Sequence, residues 1–548
     1  MTKTMRVARL ILFLISFSAI ISCSPKKHLD TRPNILLIVA DDLGYSDLGS
    51  YGGNIRTPNI DYLANHGLRF SRFHTGPTCA VTRAMMLSGT NNHVAGMGYQ
   101  DILLTQSPMI GKPGYEGHLS ERIIPMPLLL QQSGYHTYIA GKWHLGNEGI
   151  DSPASKGFEK SFCLLQGGSN HFNNIGIEPD DTLAFFRENG KLIDYPEGQY
   201  SSEVYTNKLI EFIKSDTQNE TLKPFFAFAA YTSPHWPLQV PDNYLDRYEG
   251  DFDIGYDSLR MLRFESLKEQ GLIPQKAELP PRLTSITPWK DLSDEEQKIE
   301  ARKMELYAAM VDNLDYHVGR LIQFLKVENL YDNTIIIFMS DNGAAGNDFY
   351  NEEWSMDFIR KHYNNAYDSM GRINSFVSYG PQWAHAGAAP FNRFKGYTTE
   401  GGIASPIIIS SKSIADPGKV SNAYFTVMDL APTFYELAGA TYPGKTGTAK
   451  TKPLLGKSIL PLLQGDSEIH EPDYVTALEH RGRMFIRKEN WKLVNIEPPF
   501  DENNMMLFNL TEDLGETTDL SKDHPEKVKE LLKDWHQYVE ENELILNE

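Results

Sequence analysis

Residues 34–42 read N-I-L-L-I-V-A-D-D: an unbroken apolar run ending in two adjacent carboxylates, Asp41 and Asp42. A run of this length without alternation fits a strand buried on both faces, as in a parallel sheet covered by helices. Carboxylates at the C-terminal end of such a strand lie on the edge where open α/β sheets place their sites. Taken alone, Asp-Asp after a strand is more often a solvated turn. A second run, T-I-I-I-F-M-S at 334–340, is also β-branched and also ends in hard oxygen donors, Asp341 and Asn342. Four such side chains brought to one edge by two distant strands are what an oxygen-liganded cation requires. The fold class read from this pairing is α/β.

Further strands end the same way. His136 to Ala140 leads into G-K-W-H-L-G, with Lys142 and His144, and Pro224 to Thr232 leads into S-P-H-W-P, with His235 held between two prolines. Pro58 to Asn65 reads as a short helix and Leu68 to His74 as a strand. That strand delivers T-G-P-T-C-A-V-T-R-A-M-M-L-S-G, residues 75–89. Cys79 falls at a helix N-terminus, with the Arg83 guanidinium one turn on. Free N–H groups and the helix dipole favour an anion there. In isolation Cys-x-x-x-Arg reads equally well as a buried thiol beside a surface arginine.

The remainder supplies scaffolding. Tyr244 to Trp289 is polar and proline-bearing and reads as a surface excursion. Ser293 and Glu296 form a capping box. Met304, Ala308, Val311, Leu314, Val318, Leu321 and Leu325 follow at helical spacing, which puts Asp312, Asp315 and His317 on the solvated face. Asp348 to His385, rich in Asn, Tyr, Trp and Gly, reads as a long irregular loop bordering the site, a candidate specificity element. Lys395 precedes T-T-E-G-G, Pro406 to Ser410 is a strand, and Asp429 to Leu437 is a helix. From about Pro472, short strands separated by turns imply an antiparallel sheet, closed by a helix from Pro525 to Glu541. No internal repeat is present.

The chain has 548 residues, 41% hydrophobic and 11% aromatic, with a formal charge of −19. That length predicts two domains, and the acidity argues against nucleic acid as a partner. Three cysteines imply no disulfide framework, and Cys163 reads as a small core residue. At the N-terminus, Lys3, Arg6 and Arg9 precede an apolar run from Leu10 to Ile21, too short for an ordinary membrane span. It ends I-I-S-C and resembles a bacterial lipobox, with Cys23 as the lipidated residue. The expected organisation is a lipoprotein signal peptide at 1–22, a tether at 23–32, a catalytic domain at 33–465 and a C-terminal α+β subdomain at 466–548. The expected location is the bacterial cell envelope, with the protein anchored to the membrane by its lipid.

The motif C-x-x-T-R followed by L-S-G resembles the signature of the type I, formylglycine-dependent sulfatases, with Val81 and Thr82 where proline and serine are usual. N-I-L-L-I-V-A-D-D-L-G, T-P-N-I-D-Y-L-A, G-K-W-H-L-G, S-P-H-W-P, S-D-N-G, T-T-E-G-G and L-F-N-L-T-E-D-L-G-E-T extend the resemblance over nearly the whole mature chain. H-T-G-P-T-C with S-G-T-N-N-H-V-A-G-M-G looks closest to an arylsulfatase-like bacterial branch.

The resemblance implies an alkaline-phosphatase-like large mixed sheet flanked by helices, plus a small C-terminal antiparallel sheet and helix. It implies conversion of Cys79 to formylglycine by a formylglycine-generating maturation enzyme. It also implies a Ca²⁺ (less readily Mg²⁺) held by Asp41, Asp42, Asp341, Asn342 and the modified Cys79. The hydrated aldehyde would attack sulfur, Arg83 would stabilise the hydrate, and Lys142 and Lys395 would hold the sulfate oxygens. His235, with Lys395, would protonate the leaving alcohol; His144 would deprotonate the second hydroxyl and release sulfate. His93 and Tyr99 would border the substrate pocket. The implied substrates are sulfate esters, either aryl sulfates or O-sulfated carbohydrate such as sulfated galactose or N-acetylhexosamine of mucin or glycosaminoglycan. The alternatives are a phosphate-ester hydrolase of the same superfamily, or a sulfated-glycan-binding lipoprotein if Cys79 stays a thiol.

Overall fold

The structure is a computed structural model and describes residues 30–100, 107–147, 149–179, 181–217, 223–349, 353–443 and 451–546. The expected signal peptide, Cys23 and most of the expected tether therefore lie outside the described residues. No helix among the described residues is long and apolar enough to cross a membrane.

The 34–40 run forms β1 (Asn34–Ala40), and all seven of its residues are buried. It pairs in parallel with β10 (Thr334–Ser340) on one side and β9 (Phe225–Ala230) on the other. Outward from β9 come β3 (His136–Lys142), β4 (Lys160–Leu164), β7 (Phe186–Glu188) and β8 (Lys191–Ile193). Outward from β10 come β11 (Ile407–Ser410), β2 (Gly67–His74) and β12 (Val420–Thr426). β11 is antiparallel to both of its neighbours, so β2 runs the same way as β10. The result is a mixed ten-stranded sheet in which β1, β2, β3, β9 and β10 point their C-terminal ends to one edge. A separate ribbon pairs β5 (Ile175–Glu178) with β6 (Asp181–Leu183).

Each face of the sheet carries its own core. Leu36, Ile38, Ile336 and Phe338 pack with helices Ser201–Thr217, Gly255–Glu269 and Asp294–Val327. Ile35, Leu37, Ile335 and Ile337 pack with helices Cys79–Ser88, Met126–Gln132 and Leu430–Ala438. The alternate residues of one strand thus feed two layers, which is why the run shows no polar alternation.

The C-terminal strands β13 (Val475–His480), β14 (Arg483–Lys488), β15 (Trp491–Asn495) and β16 (Met506–Asn509) form an antiparallel sheet in sequence order. Phe485 and Val494 on one face join the second core layer. Met484, Ile486 and Leu493 on the other pack against Leu531 and Trp535 of the last helix, Pro525–Asn542. The small sheet is therefore a sandwich filling, buried on both sides.

The structure corrects three expectations. Asp312, Asp315 and His317 are buried, at 5%, 2% and 4% exposure. The Asp315 carboxylate accepts from the backbone N–H groups of Asn59 and Ile60, at 2.9 and 2.8 Å, satisfying amides that helix Pro58–Asn65 leaves open at its N-terminus. Asp312 is held by Arg247 at 2.8 Å and the Tyr248 hydroxyl at 3.0 Å. Segment 244–289 is not a surface excursion: it contains helix Gly255–Glu269, with Leu259, Phe264 and Leu267 in the core. Its buried Arg263 donates to Asp47 at 2.5 Å. Segment 348–385 is not irregular throughout, since it includes helices Glu353–His362 and Gly380–Gly387.

Candidate active site

Five strands of the large sheet deliver the site. β1 ends in Asp41 and Asp42, β10 in Asp341 and Asn342, and β3 in Lys142 with His144 beyond it. β9 leads to His235, and β2 to the helix that begins at Cys79. Backbone bonds lock these ends together: Asp41 N–H to Ser233 O at 3.1 Å, and Asp341 N–H to Ala40 O at 3.1 Å. Gly396 N–H donates to Pro77 O at 2.7 Å, and Lys395 N–H to Ala344 O at 3.0 Å, so the Lys395 loop is tied to both the Cys79 loop and the Asp341 loop. Gly343 is required at this junction, because a Cβ there would sit 2.1 Å from Gly401 O.

Asp41, Asp42, Asp341 and Asn342 are each at most 1% exposed. Lys142 Nζ donates to Asp41 Oδ2 at 2.7 Å, while Lys395 Nζ and Asn342 Nδ2 donate to Asp42 Oδ1 at 2.6 and 2.8 Å. Three oxygens remain buried without a hydrogen-bond donor: Asp41 Oδ1, Asp42 Oδ2 and Asn342 Oδ1. Leaving such atoms unmet is costly. A hard cation would meet these atoms, and the all-oxygen donor set suits Ca²⁺ or Mg²⁺. Asp41, Asp341 and Cys79 each place a ligand atom within 4.8 Å of the others.

The ionisation pattern supports the same reading. Burial pushes the Asp41 carboxyl up, and the nearby Asp341, Asp42 and Cys79 charges push it further, against the pull of Lys142. Burial also acts against the Asp42 carboxylate, but Lys395, His235 and Lys142 outweigh it and hold Asp42 well below the usual range. The negative charge of the cluster is thus only partly balanced by protein cations.

Cys79 is 1% exposed. Its Sγ lies 3.3 Å from His144 Nδ1 and 3.9 Å from Gln100 Nε2. Burial opposes ionisation of the thiol, yet Lys142, Lys395 and His144 bring its pKa down to about 5. Thr82 Oγ1 accepts from Gly76 N–H at 2.8 Å and fixes the turn before the helix. Val81 is fully buried and touches this turn: a Cβ on Gly76 would meet Val81 Cγ1 at 2.6 Å. Arg83 donates Nε and Nη2 to Asp341 Oδ2, at 3.1 and 2.7 Å, and Nη1 to Lys142 O at 2.9 Å.

Asp42 and His144 both adopt left-handed backbone, φ 69° and 58°. Non-glycine residues there carry about 1–3 kcal/mol of strain each, which the surrounding contacts must offset. His235 Nδ1 lies 2.6 Å from Trp236 O, so it carries the hydrogen, and Nε2 faces Asp42 Oδ2 at 3.5 Å. Burial lowers the His235 pKa well below 6.5; Asp42 opposes this, and Lys395 and Lys142 reinforce it.

Two of the sequence-predicted residues stand apart from this group. His93 Nε2 is 2.9 Å from Glu479 Oε2 of the C-terminal sheet, and its ring packs on Tyr115. Tyr99 packs edge-on against Tyr115, with ring centres 5.3 Å apart. Sequence reasoning missed Gln100, Gly167 and Gly168. A Cβ on Gly167 would lie 2.8 Å from His144 Cε1, and one on Gly168 would lie 3.4 Å from His235 Cε1. The Gly-Gly pair just after β4 was the available signal; nothing marks Gln100.

A doubly covered α/β sheet gathers buried carboxylates, a cysteine at the first turn of a helix, and flanking lysines and histidines at one edge, an arrangement suited to an anionic ester. The sulfatase family model matches residues 33–440, and the chain belongs to that family. It is 38% identical over 527 residues to an uncharacterized sulfatase of Schizosaccharomyces pombe, covering 94% of each chain. It is 38% identical over 435 residues to an arylsulfatase of Klebsiella aerogenes, covering 78% of this chain and 91% of that one. It superposes on the crystal structure of Ps i-CgsB in complex with k-i-k-neocarrahexaose with a TM-score of 0.65, 25% identity and 93% coverage of each chain. The protein is a sulfuric ester hydrolase with an alkaline-phosphatase-like fold.

Proposed function

We propose that the protein hydrolyses O-sulfated carbohydrate at the cell envelope, using a formylglycine made from Cys79 and a divalent cation, Ca²⁺ before Mg²⁺, held by Asp41, Asp42, Asp341 and Asn342. The observation that carries this is the position of Cys79 Sγ, 3.3 Å from His144 Nδ1 and within 4.8 Å of Asp41 and Asp341 ligand atoms. A hydrated aldehyde at position 79 would supply the attacking hydroxyl, and a cation held by Asp41, Asp42, Asp341 and Asn342 would supply the Lewis acidity that makes it nucleophilic.

Charge favours an anionic ester. With the thiol removed, the three carboxylates of Asp41, Asp42 and Asp341 face the three cations of Lys142, Lys395 and Arg83. A divalent ion held there would leave the pocket positive, which suits an anionic group such as a sulfate ester. Lys142 and Lys395 neutralise sulfate oxygens as charge builds on them, and burial makes each contact stronger than in water. Lys395 stays charged, because Asp42 and Cys79 outweigh its burial.

His144 takes a proton from position 79 through Nδ1, and His235 gives one to the leaving oxygen through Nε2, its Nδ1 being committed to Trp236 O. In the free protein burial, reinforced by the two lysines, keeps His235 neutral; an anionic ester between the lysines and the ring opposes that push and favours a proton on Nε2.

A sugar substrate is supported by the saccharide bound to Ps i-CgsB and by the aromatic cluster beside His235. Trp236 packs on Phe349 and Phe376, with ring centres 4.3 and 5.8 Å apart. Sulfated galactose and N-acetylhexosamine are the candidate residues. The export signal with its lipobox cysteine supports a lipid-anchored envelope protein, matured by a formylglycine-generating enzyme.

The deciding experiment is mass spectrometry of the tryptic peptide Phe73–Arg83 from protein purified out of its native host. Aldehyde mass in place of thiol, with sulfate release from 4-nitrophenyl sulfate and from sulfated oligosaccharides, is the expected outcome. A thiol throughout would overturn the catalytic reading. Cys79→Ser is expected to show no sustained turnover.

A further inference from the structure

A cavity of about 400 Å³ opens between the outer edge of the large sheet and the C-terminal sheet. Arg72 of β2, Tyr424 of β12 and Arg487 of β14 line it, together with segment 468–474. None of the catalytic-centre residues described above borders it.

Its chemistry is unusual for a structural crevice. Arg487 is 2% exposed, and its guanidinium carbon lies 3.6 Å from the Tyr424 ring centre. Half-buried Arg72 flanks the same ring at 5.9 Å. Arg487 Nε donates to Glu489 O at 3.1 Å, and Arg72 Nη2 to Asn490 Oδ1 at 3.0 Å. Among the described residues, no carboxylate forms an ion pair with either guanidinium. The nearest buried carboxylate network is already committed elsewhere: Glu400 binds His74 and Lys492, each at 2.8 Å. Burial and the neighbouring Arg487 charge bring the Arg72 pKa down to about 10. Glu400 and Glu468 act on Arg72, and Glu400 on Arg487, only from a distance, so neither guanidinium has a carboxylate in direct contact, and an anion placed between them would supply that contact.

The opposite wall is flat. The His470 and Tyr474 rings stack at 3.7 Å with only 3° between their planes, and His470 Nε2 is 3.1 Å from Asp429 Oδ1. Glu468, Glu471 and Glu489 are exposed, so their charges stay in water at the cavity's mouth.

We propose that this cavity is a second, non-catalytic recognition site for a sulfate group carried on a saccharide chain. The reading rests on the proposed carbohydrate sulfatase function. The planar guanidinium forks match sulfate oxygens in pairs, and the stacked rings offer an apolar plate to the adjoining sugar. A chain held here and at the catalytic centre is held twice, which raises the effective concentration of its remaining sulfate esters at the site.

The test uses full-length Cys79→Ala protein, which binds without turnover, titrated calorimetrically with a sulfated galactan hexasaccharide and separately with inorganic sulfate. Two saccharide sites per chain are expected. Arg72→Gln should weaken one of them about tenfold, as loss of a charge-assisted pair does. Arg487→Lys, which keeps the charge but removes the fork, should weaken the same site. Unchanged melting temperatures verify folding. Unchanged saccharide binding in folded Arg72→Gln overturns the proposal, as does equal weakening for inorganic sulfate, which would make the cavity a plain anion site. In the Cys79 enzyme, Arg72→Gln should leave 4-nitrophenyl sulfate turnover intact. Absence of that turnover in the parent enzyme would instead count against the catalytic reading.

Discussion

Arg83 and Asp341 meet as a buried ion pair, their side chains 1% and 0% exposed, with two guanidinium nitrogens on the single oxygen Oδ2. The third nitrogen holds the Lys142 carbonyl. One arginine thus fixes the relative placement of the Cys79 helix, β10 and the end of β3. Its first effect is to orient Asp341 and to keep Lys142 aimed at Asp41.

Replacing Arg83 leaves Asp341 as an uncompensated buried charge. Arg83→Ala is expected to destabilise the fold by about 3–5 kcal/mol, read as a lower denaturant midpoint. Arg83→Lys should recover only part of this, because an ammonium cannot meet Asp341 and the Lys142 carbonyl together. Full stability in Arg83→Lys would show that the fork geometry is dispensable.

Three buried oxygens without donors, Asp41 Oδ1, Asp42 Oδ2 and Asn342 Oδ1, predict strong coupling between cation binding and folding. Chelation should lower the melting temperature and abolish sulfate release. Restoring Ca²⁺ to a hundredfold excess over its dissociation constant should return about 2.7 kcal/mol of stability. In Asp41→Asn the added Ca²⁺ should raise the melting temperature much less. An equal rise in both proteins would place the ion elsewhere.

His235 Nε2 is the proton donor proposed for the leaving oxygen, which makes its value depend on the leaving group. His235→Gln should lower kcat/KM about 10²–10⁴-fold for a sugar sulfate, whose alkoxide needs a proton. The same change should cost far less with 4-nitrophenyl sulfate, whose phenolate leaves readily. Equal losses on both substrates would assign His235 to binding instead.

Part of the site was legible because Asp41, Asp341 and Lys142 stand at the ends of apolar runs, and parallel strands bring such positions to one edge. Cys79, Arg83 and Lys395 were joined to them by the family resemblance. Gln100 reaches Cys79 from a loop with no periodicity, and Gly167 matters only because the His144 ring passes beside it, a contact no local pattern encodes. Helical spacing likewise reported the strongest apolar stripe of Asp294–Val327 and not its other faces. Asp312 and Asp315 are buried there because helix Pro58–Asn65 and Arg247 bring polar partners to them. His93 illustrates the same limit at long range, since its partner Glu479 belongs to the C-terminal sheet.

Five buried histidines outside the catalytic group contribute to the response to acid. Burial lowers His74 and His171 to about 4, and His317, His385 and His480 to about 3, from an ordinary value of 6.5. Each binds its proton less tightly folded than unfolded. Their contribution to stability is therefore present above pH 6.5 and is lost as pH falls from there towards 4 and 3. Glu516 works in the opposite sense: burial raises it from 4.5 to about 7, so it favours the fold below pH 4.5 and loses that effect as pH rises to about 7. Asp315, raised by burial to about 6, acts in the same sense as Glu516, so the histidines and these acids oppose one another across this range. His385 isolates the effect, since neither ring nitrogen has a hydrogen-bond partner and Arg260 and Arg282 reinforce the shift. At pH 5 its reluctance to protonate is worth about 2 kcal/mol. His385→Leu should therefore gain that much stability relative to the parent on going from pH 7.5 to pH 5, measured as the change in urea midpoints. A variant whose pH dependence matches the parent's would show that His385 titrates normally in the folded protein.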